Sequence, residues 1–360
     1  MFSLRFSVNF ARNLANMRFF ILFLFFGVIF LSKGYAQKAK VTSIGFYNLE
    51  NLFDTVDDTL ISDEEFLPEG KRNWTPEKYQ EKSSNMANVI SQIGLEFCPA
   101  GLSVLGVAEI ENKKVLEDLV KQPALKDRNY QIVHQDSPDG RGVDVGLLYN
   151  PSHFSVLSYK AIPLINFENG KRRFTRDILY VKGVLDKSDT LHILVNHWPS
   201  RGGGEKQTKP YRNNGAKVCR EVYDSLLSVH KNVHFVVMGD LNDNPDDESV
   251  TSFLRAKSKI EKMSDKDLYN PFHEMYRRGL GSNAYRDAWS LFDQIIISKD
   301  LMDNVAGYKF YKASVFNKDF LTTTSGQYKG YPFRTFNFDN YQGGYSDHYP
   351  TYMYLVKKLE

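Results

Sequence analysis

The chain is poor in cysteine. Its two cysteines, Cys98 and Cys219, stand far apart among 360 residues and in no metal-ligand spacing. Zinc on thiolates is excluded, and the pair leaves open either one disulfide or two inert buried thiols. Internal repeats and low-complexity linkers are also lacking, so nothing marks a boundary between domains. A strong excess of positive charge is missing too. The whole chain is formally +3, but Arg5, Arg12, Arg18 and Lys33 all lie before residue 37 with no acid among them, which leaves the remainder at −1. A polycationic nucleic-acid binder is therefore not indicated, and any hold on a polyanion must come from a local basic patch or a bound metal.

What is present begins with a leader. Phe19 to Leu31 read "FFILFLFFGVIFL", with Arg18 before them and "SKGYAQ" after. A basic start, a short apolar run and a small-residue exit match a secretory signal peptide. The expectation is residues 1–36 as a cleaved signal peptide and residues 37–360 as a single domain, exported to a periplasm or the cell exterior. An uncleaved leader acting as a membrane anchor is the alternative, although the run is short against the roughly 20 apolar residues of a bilayer span.

Beyond residue 37, apolar runs that read as strands include "VTSIGFYNL", "LSVLGVAEI", "TLHILVNHW", "VHFVVMGDL", "FDQIIIS" and "YPTYMYLV". Most are apolar on both faces near their centres, as in strands covered on both sides. Two segments read as helices. One runs from Pro76 with Thr75 as its cap and stops at Gly94. The other lies in "NNGAKVCREVYDSLLSVH", with Val218, Val222 and Leu226 on one stripe. The basic stretch ahead of it, Pro199 to Gly215, reads as a flexible loop whose Arg201, Lys206, Lys209 and Arg212 are placed to meet phosphates. Each helix precedes a strand, which predicts two copies of sheet plus helix packed face to face.

The informative pattern lies at the strand ends. "VVMGDLNDNP" runs four apolar residues into Asp240, with Asn242 two positions on. The first strand ends at Asn48 and Glu50, the second at Glu109. Others end at His197, open at Asp293, or follow Asp347 and His348. One such ending is a turn or a cap; six in one chain point to chemistry. Carboxylates and carboxamides without thiolates make a hard oxygen site fit for Mg2+ or Mn2+, with Ca2+ a further candidate. A His beside an Asp is an oriented acid/base pair. Glu111, Asp243 and Asp144 are ambiguous acids and stay outside the set.

In this order, "FYNLENLFD", "EIEN", "NHWPSR", "GDLN" and "SDH" resemble the endonuclease/exonuclease/phosphatase superfamily, deoxyribonuclease I-like metal-dependent phosphoesterases. Within it they are most similar to bacterial secreted nucleases. The resemblance implies an α/β (α+β) fold, a four-layer α/β/β/α sandwich of two mixed β-sheets packed face to face with helices outside. It implies metal ligation by Asn48, Glu50, Glu109 and Asp347, with Glu109 principal. It gives catalytic roles to His197, Asp240, Asn242, Asp293 and His348, and phosphate binding to Arg176 and Asn242.

The implied activity is hydrolysis of DNA or RNA phosphodiesters by an exported endonuclease. The alternatives are a phosphatase or phospholipase acting on lipid, inositol or sugar phosphates, or a non-catalytic binding module on the same fold. The expected partner is nucleic acid or a phosphorylated small molecule or lipid, with no obligate protein partner and a monomeric state. Before the last motif runs a long segment rich in Phe and Tyr, with Lys318, Lys329 and Arg334. Such a segment suits stacking on bases, contact with a sugar or lipid head group, or simple loop packing.

Overall fold

The computed structural model describes residues 38–303 and 306–359. The leader expected over residues 1–36 lies outside them. Among the described residues no helix is long and apolar enough to cross a membrane.

The strands expected from the apolar runs form two mixed sheets. In the first, from edge to edge, lie Lys309–Val315, Thr351–Lys358, Ala39–Leu52, Val104–Ile110, Asp144–Tyr149 and Gln131–His134. In the second lie Ala256–Lys257, Leu268–Tyr269, Asp293–Ser298, His234–Asp240, Asp189–His197, Ile178–Leu185 and Phe154–Ile162. Their inner faces pack against each other. Val195, Met238 and Ile295 of the second sheet share a core with Phe46, Val107 and Leu147 of the first. The sheets close tightly at Gly106, where a Cβ would fall 2.6 Å from Met238 Sδ, so a larger residue would require the Met238 side chain to shift.

Alternation explains why the central strands are apolar throughout. In His234–Asp240, Val236 and Met238 face the first sheet, whereas Phe235 and Val237 join Ala216, Cys219 and Tyr223 of the helix Glu205–Val229. The helix Pro76–Gln92 buries Met86, Val89 and Ile90 in the core of the first sheet. Thr75 caps it, its hydroxyl accepting from Lys78 N–H at 3.5 Å, with Pro76 in the first turn. The four layers are therefore those expected. Cys98 and Cys219 are free, buried and in different core clusters, which resolves the cysteine alternatives in favour of two thiols.

The segment Pro199–Gly215 differs from its expected form. Residues 205–215 are the first turns of the helix Glu205–Val229 and not a flexible loop. Pro210 sits inside it, near enough to the start that one backbone hydrogen bond is forgone without a break. Burial of Thr208 and Arg212 against the body of the protein draws this polar stretch into helix.

Candidate active site

Strand register assembles the first part of the site. Asp240, the last residue of its strand, pairs directly with His197 on the parallel neighbour and with Asp293 on the antiparallel one. Three polar residues from distant points of the sequence thus form one rung across the second sheet. A slip of one residue in either pairing would turn these side chains to the opposite face.

In the first sheet the strand ends are bent. Register shifts fall between Asn48 and Leu52 and between Ala108 and Ile110. Here Glu50, Asn51 and Glu109 adopt left-handed φ values of 47°, 53° and 58°, and across the cleft Asn242 takes 50°. Non-glycine residues rarely adopt this region, and bulges beside active sites re-aim side chains in this way. The helix Lys113–Val120 begins immediately after, capped by Asn112 of "EIEN", whose carbonyl oxygen accepts from Val115 N–H at 3.1 Å.

Asn48 ties the two sheets together. Its Nδ2 donates to Glu109 Oε1 at 3.0 Å and to Asp240 Oδ2 at 3.1 Å, and its Oδ1 accepts from Glu50 N–H at 2.9 Å. Glu109 Oε2 accepts from Asn51 N–H at 3.1 Å. In this arrangement Asn48 presents donors to the carboxylates, and its oxygen serves the backbone. His197 Nε2 lies 3.8 Å from Glu109 Oε1 and 3.7 Å from Asp240 Oδ2. Asn242 donates from its backbone to Asp240 Oδ1 at 2.9 Å and from Nδ2 to the Trp198 carbonyl at 2.9 Å.

His348 closes the set. Its Nδ1–H donates to Asp293 Oδ2 at 2.6 Å, leaving Nε2 3.9 Å from Asp240 Oδ2. Burial alone would lower its pKa, but Asp293, then Asp240 and Asp347, outweigh it and hold the imidazolium well above its ordinary value. His197 is opposite in character. Burial, with Arg176, Arg141 and His348 nearby, drives its pKa well below the usual range, so its imidazole is neutral. Asp240 is pushed up to about 7, chiefly by burial and despite the nearby His348, with Asp293 and Glu109 adding repulsion.

A second group of acids stands beside this one. Glu50 accepts from Thr335 N–H at 2.7 Å, and Asp347 Oδ2 accepts from Arg334 at 3.2 Å. Glu50 is pushed up to about 7 by burial and by Asp347. The buried ammonium of Lys82 lies within electrostatic reach of Glu50, Asp347 and Glu109 and donates to the Tyr345 carbonyl at 2.7 Å. The carboxylates of Glu50 and Asp347 repel each other, and a hard divalent cation bound beside them would relieve that repulsion. Ligand atoms of Glu109, His197 and Asp240 also lie within 4.8 Å of one another, as do those of Asp240, Asp293 and His348.

Three positioning residues escaped sequence reading. Ser282 donates from its hydroxyl to Asp293 Oδ2 and accepts Asp293 N–H at 3.3 Å. Ser346 donates to the Asn48 carbonyl at 2.7 Å and accepts His348 N–H at 3.1 Å. Lys82 is the third, on a helix whose pattern marked only its apolar stripe. Only Ser346 stood inside a motif, two residues before His348.

The cations depart most from expectation. Arg176 is buried, and its guanidinium donates to the carbonyls of His197 and Trp198 at 3.2 and 2.8 Å and to Asp139 at 3.1 Å. It braces the His197 turn and is not aimed at a phosphate. Arg212, fully buried, pairs with Asp243 at 2.6 Å. Arg201 pairs with Asp243, Asp247 and Glu205, and Lys209 with Glu248 at 2.9 Å. Lys206 alone of the four is exposed and forms no ion pair among the described residues. Arg141, unnoticed in the sequence, is the partly exposed cation whose charge reaches Glu109.

Two facing sheets with acids, amides and histidines gathered at their strand ends define the class: a metal-type phosphoesterase sandwich. The chain belongs to the endonuclease/exonuclease/phosphatase family, whose model matches residues 43–357. Its members are phosphoesterase hydrolases, generally dependent on a divalent metal. Comparison with curated proteins gives no match.

Among solved structures, the chain is similar to an endonuclease/exonuclease/phosphatase family protein of Bacteroides thetaiotaomicron. The TM-score is 0.52 at 15% identity, covering 90% of this chain and 98% of that one. A mannosyl-6-phosphatase of the same organism gives 0.52 at 16% identity, over 87% and 99%. TDP2 of D. rerio, solved with a single-strand DNA product, gives 0.51 at 13% identity, over 88% and 99%. At these identities the likeness carries the fold.

Proposed function

We propose that this protein is a divalent-metal-dependent endonuclease that hydrolyses phosphodiester bonds of DNA or RNA. The carrying observation is the hydrogen-bonded continuity of Glu109, Asn48 and Asp240 beside the His348–Asp293 pair. Glu109, Glu50 and Asp347 would hold the ion, with Asn48 orienting Glu109. When bound, the ion polarises a phosphoryl oxygen and offsets developing negative charge.

The chain's own residues do the rest. Asp240, with its pKa near 7, is suited to accept a proton from the attacking water at neutral pH. His348 is held charged and fixed in orientation by Asp293, so its Nε2–H can donate to a phosphate oxygen as charge grows there. Neutral His197 offers one further ring N–H, and Asn242 keeps an amide hydrogen beyond its bond to Trp198.

Charge supports a diester over a monoester. A diester carries one negative charge, whereas a monoester approaches two at neutral pH. On the His197 side of the site Arg176, Arg201 and Arg212 are already paired with Asp139, Asp243 and Asp247, so that side offers little unpaired charge to a dianion. The leader-like segment at residues 1–36 supports export, which N-terminal sequencing of the mature protein would test by finding Gln37 first.

The deciding assay incubates the purified protein with plasmid DNA, RNA, p-nitrophenyl phosphate and bis-p-nitrophenyl phosphate, in Mg2+, Mn2+ or EDTA. Metal-dependent nicking and diester turnover are expected. Turnover of the monoester alone would replace the reading with a phosphatase. Inertness in every arm would leave a binding module.

A further inference from the structure

Beside Asp347, two surface segments enclose a pocket of about 470 Å3. That volume lies within the range of roughly 300–1,000 Å3 typical of small-ligand sites. One wall is the hairpin formed by Asn283–Tyr285 and Ala288–Ser290, and the other comes from residues 327–338. Both walls are rooted in the catalytic machinery. The hairpin starts one residue after Ser282, which holds Asp293. On the other wall, Arg334 donates to Asp347 and the neighbouring Thr335 N–H donates to Glu50. A group lodged here therefore lies against Arg334, whose guanidinium holds Asp347.

The pocket's chemistry is specific. Tyr285, Tyr328, Tyr331 and Phe338 supply four aromatic rings, and Arg286 and Arg334 supply two guanidinium planes. Tyr285 is 70% exposed and Phe338 is 78% exposed, so these rings are presented to solvent and not packed away. Arg286 and Phe338 hold left-handed φ of 49° and 53°, a conformation uncommon for large side chains. Arg286 forms no ion pair among the described residues, in contrast to Arg201, Lys209 and Arg212. The one acid, Asp287, is occupied by hydrogen bonding with the Tyr331 hydroxyl at 2.7 Å. That leaves stacking surface and positive charge, with the Gln327 amide and the Tyr285 and Tyr328 hydroxyls as further polar groups. A flat base beside a phosphate needs a ring face and a cation.

We propose that this pocket is a subsite for an unpaired nucleobase flanking the scissile phosphate of a single-stranded nucleic acid. The inference rests on the phosphodiester reading above and adds what selects the substrate. The test uses Tyr285→Ala/Phe338→Ala, with both side chains largely in solvent so that the fold is retained, and Phe338→Trp as the conservative variant.

Two esters with the same leaving group are compared, thymidine 5′-(p-nitrophenyl phosphate) and methyl p-nitrophenyl phosphate. The double variant should lose about fivefold or more in the ratio of kcat/KM for the thymidine ester over the methyl ester. Phe338→Trp should restore most of that ratio. Independently, fluorescence anisotropy with a labelled eight-residue oligothymidylate in EDTA should show binding weakened about fivefold or more by the double variant. An unchanged ratio, unchanged or absent oligothymidylate binding, or displacement of the oligomer by mannose 6-phosphate and not by thymidine 5′-monophosphate would overturn the subsite. Turnover of neither ester with pocket-dependent binding intact would overturn the diesterase reading alone. Turnover of both with no pocket dependence would overturn the subsite alone.

Discussion

Two cationic regions flank the cleft, and they behave differently. At the start of the helix Glu205–Val229, Arg201, Lys209 and Arg212 each meet a carboxylate within 2.9 Å. On the opposite wall, Arg286 has no acid partner among the described residues, and Arg334 shares Asp347 while resting near the Tyr328 ring. The first region resembles a phosphate cradle only when its acids are ignored. Charge density along the chain is therefore a poor guide to binding; a cation's value to a ligand depends on whether the protein has already neutralised it. The first region stiffens the turn that carries Asn242 and Asp243, and the second remains available.

This contrast can be broken by experiment. The largest effect is expected from Arg212→Ala, which strands a buried Asp243 without its main partner. A loss of about 3–5 kcal/mol in urea unfolding is expected. A loss below about 1 kcal/mol accompanied by weaker DNA binding would return Arg212 to the ligand-binding class. Next comes His348→Ala, which should reduce turnover about 100-fold or more, measured at a temperature where the variant is still folded, because the loss of the buried partner of Asp293 also lowers the melting temperature. Near-normal hydrolysis would remove His348 from its proposed role.

A smaller effect concerns pH and metal. Glu50 and Asp240 keep their protons to about 7, whereas carboxylates of an unfolded chain titrate near 4. Between about pH 4 and pH 7 the folded state binds more protons, so metal-free stability should fall as pH rises through that window. Mg2+ favours the ionised carboxylates and should raise the melting temperature more at pH 8 than at pH 5. Scanning fluorimetry in EDTA and in Mg2+ measures both, and equal Mg2+ shifts at the two pH values would contradict the assigned metal side.

The smallest effect is reserved for Arg286→Ala. It should weaken nucleic-acid binding a few-fold and reduce the slope of log K against log salt by about one, with no change in melting temperature. An unchanged slope would place Arg286 with the bystanders and erase the contrast between the two walls.

Much of this protein was determined by its sequence alone. Strands apolar on both faces dictated covered sheets, and "GDLN", "EIEN" and "SDH" marked the residues that meet in the cleft, because a strand end carries its polar residues to the sheet edge wherever the sheet forms. The rung of His197, Asp240 and Asp293 follows from strands whose apolar cores admit one register. Only the tertiary structure decided which cations were free, that Arg176 braces a turn, that a presumed loop is helix, and that Lys82 and Ser282 support the acids. Those outcomes depend on partners up to hundreds of residues away along the chain but within 4 Å in space. Coulomb energy and desolvation follow that distance, not sequence separation.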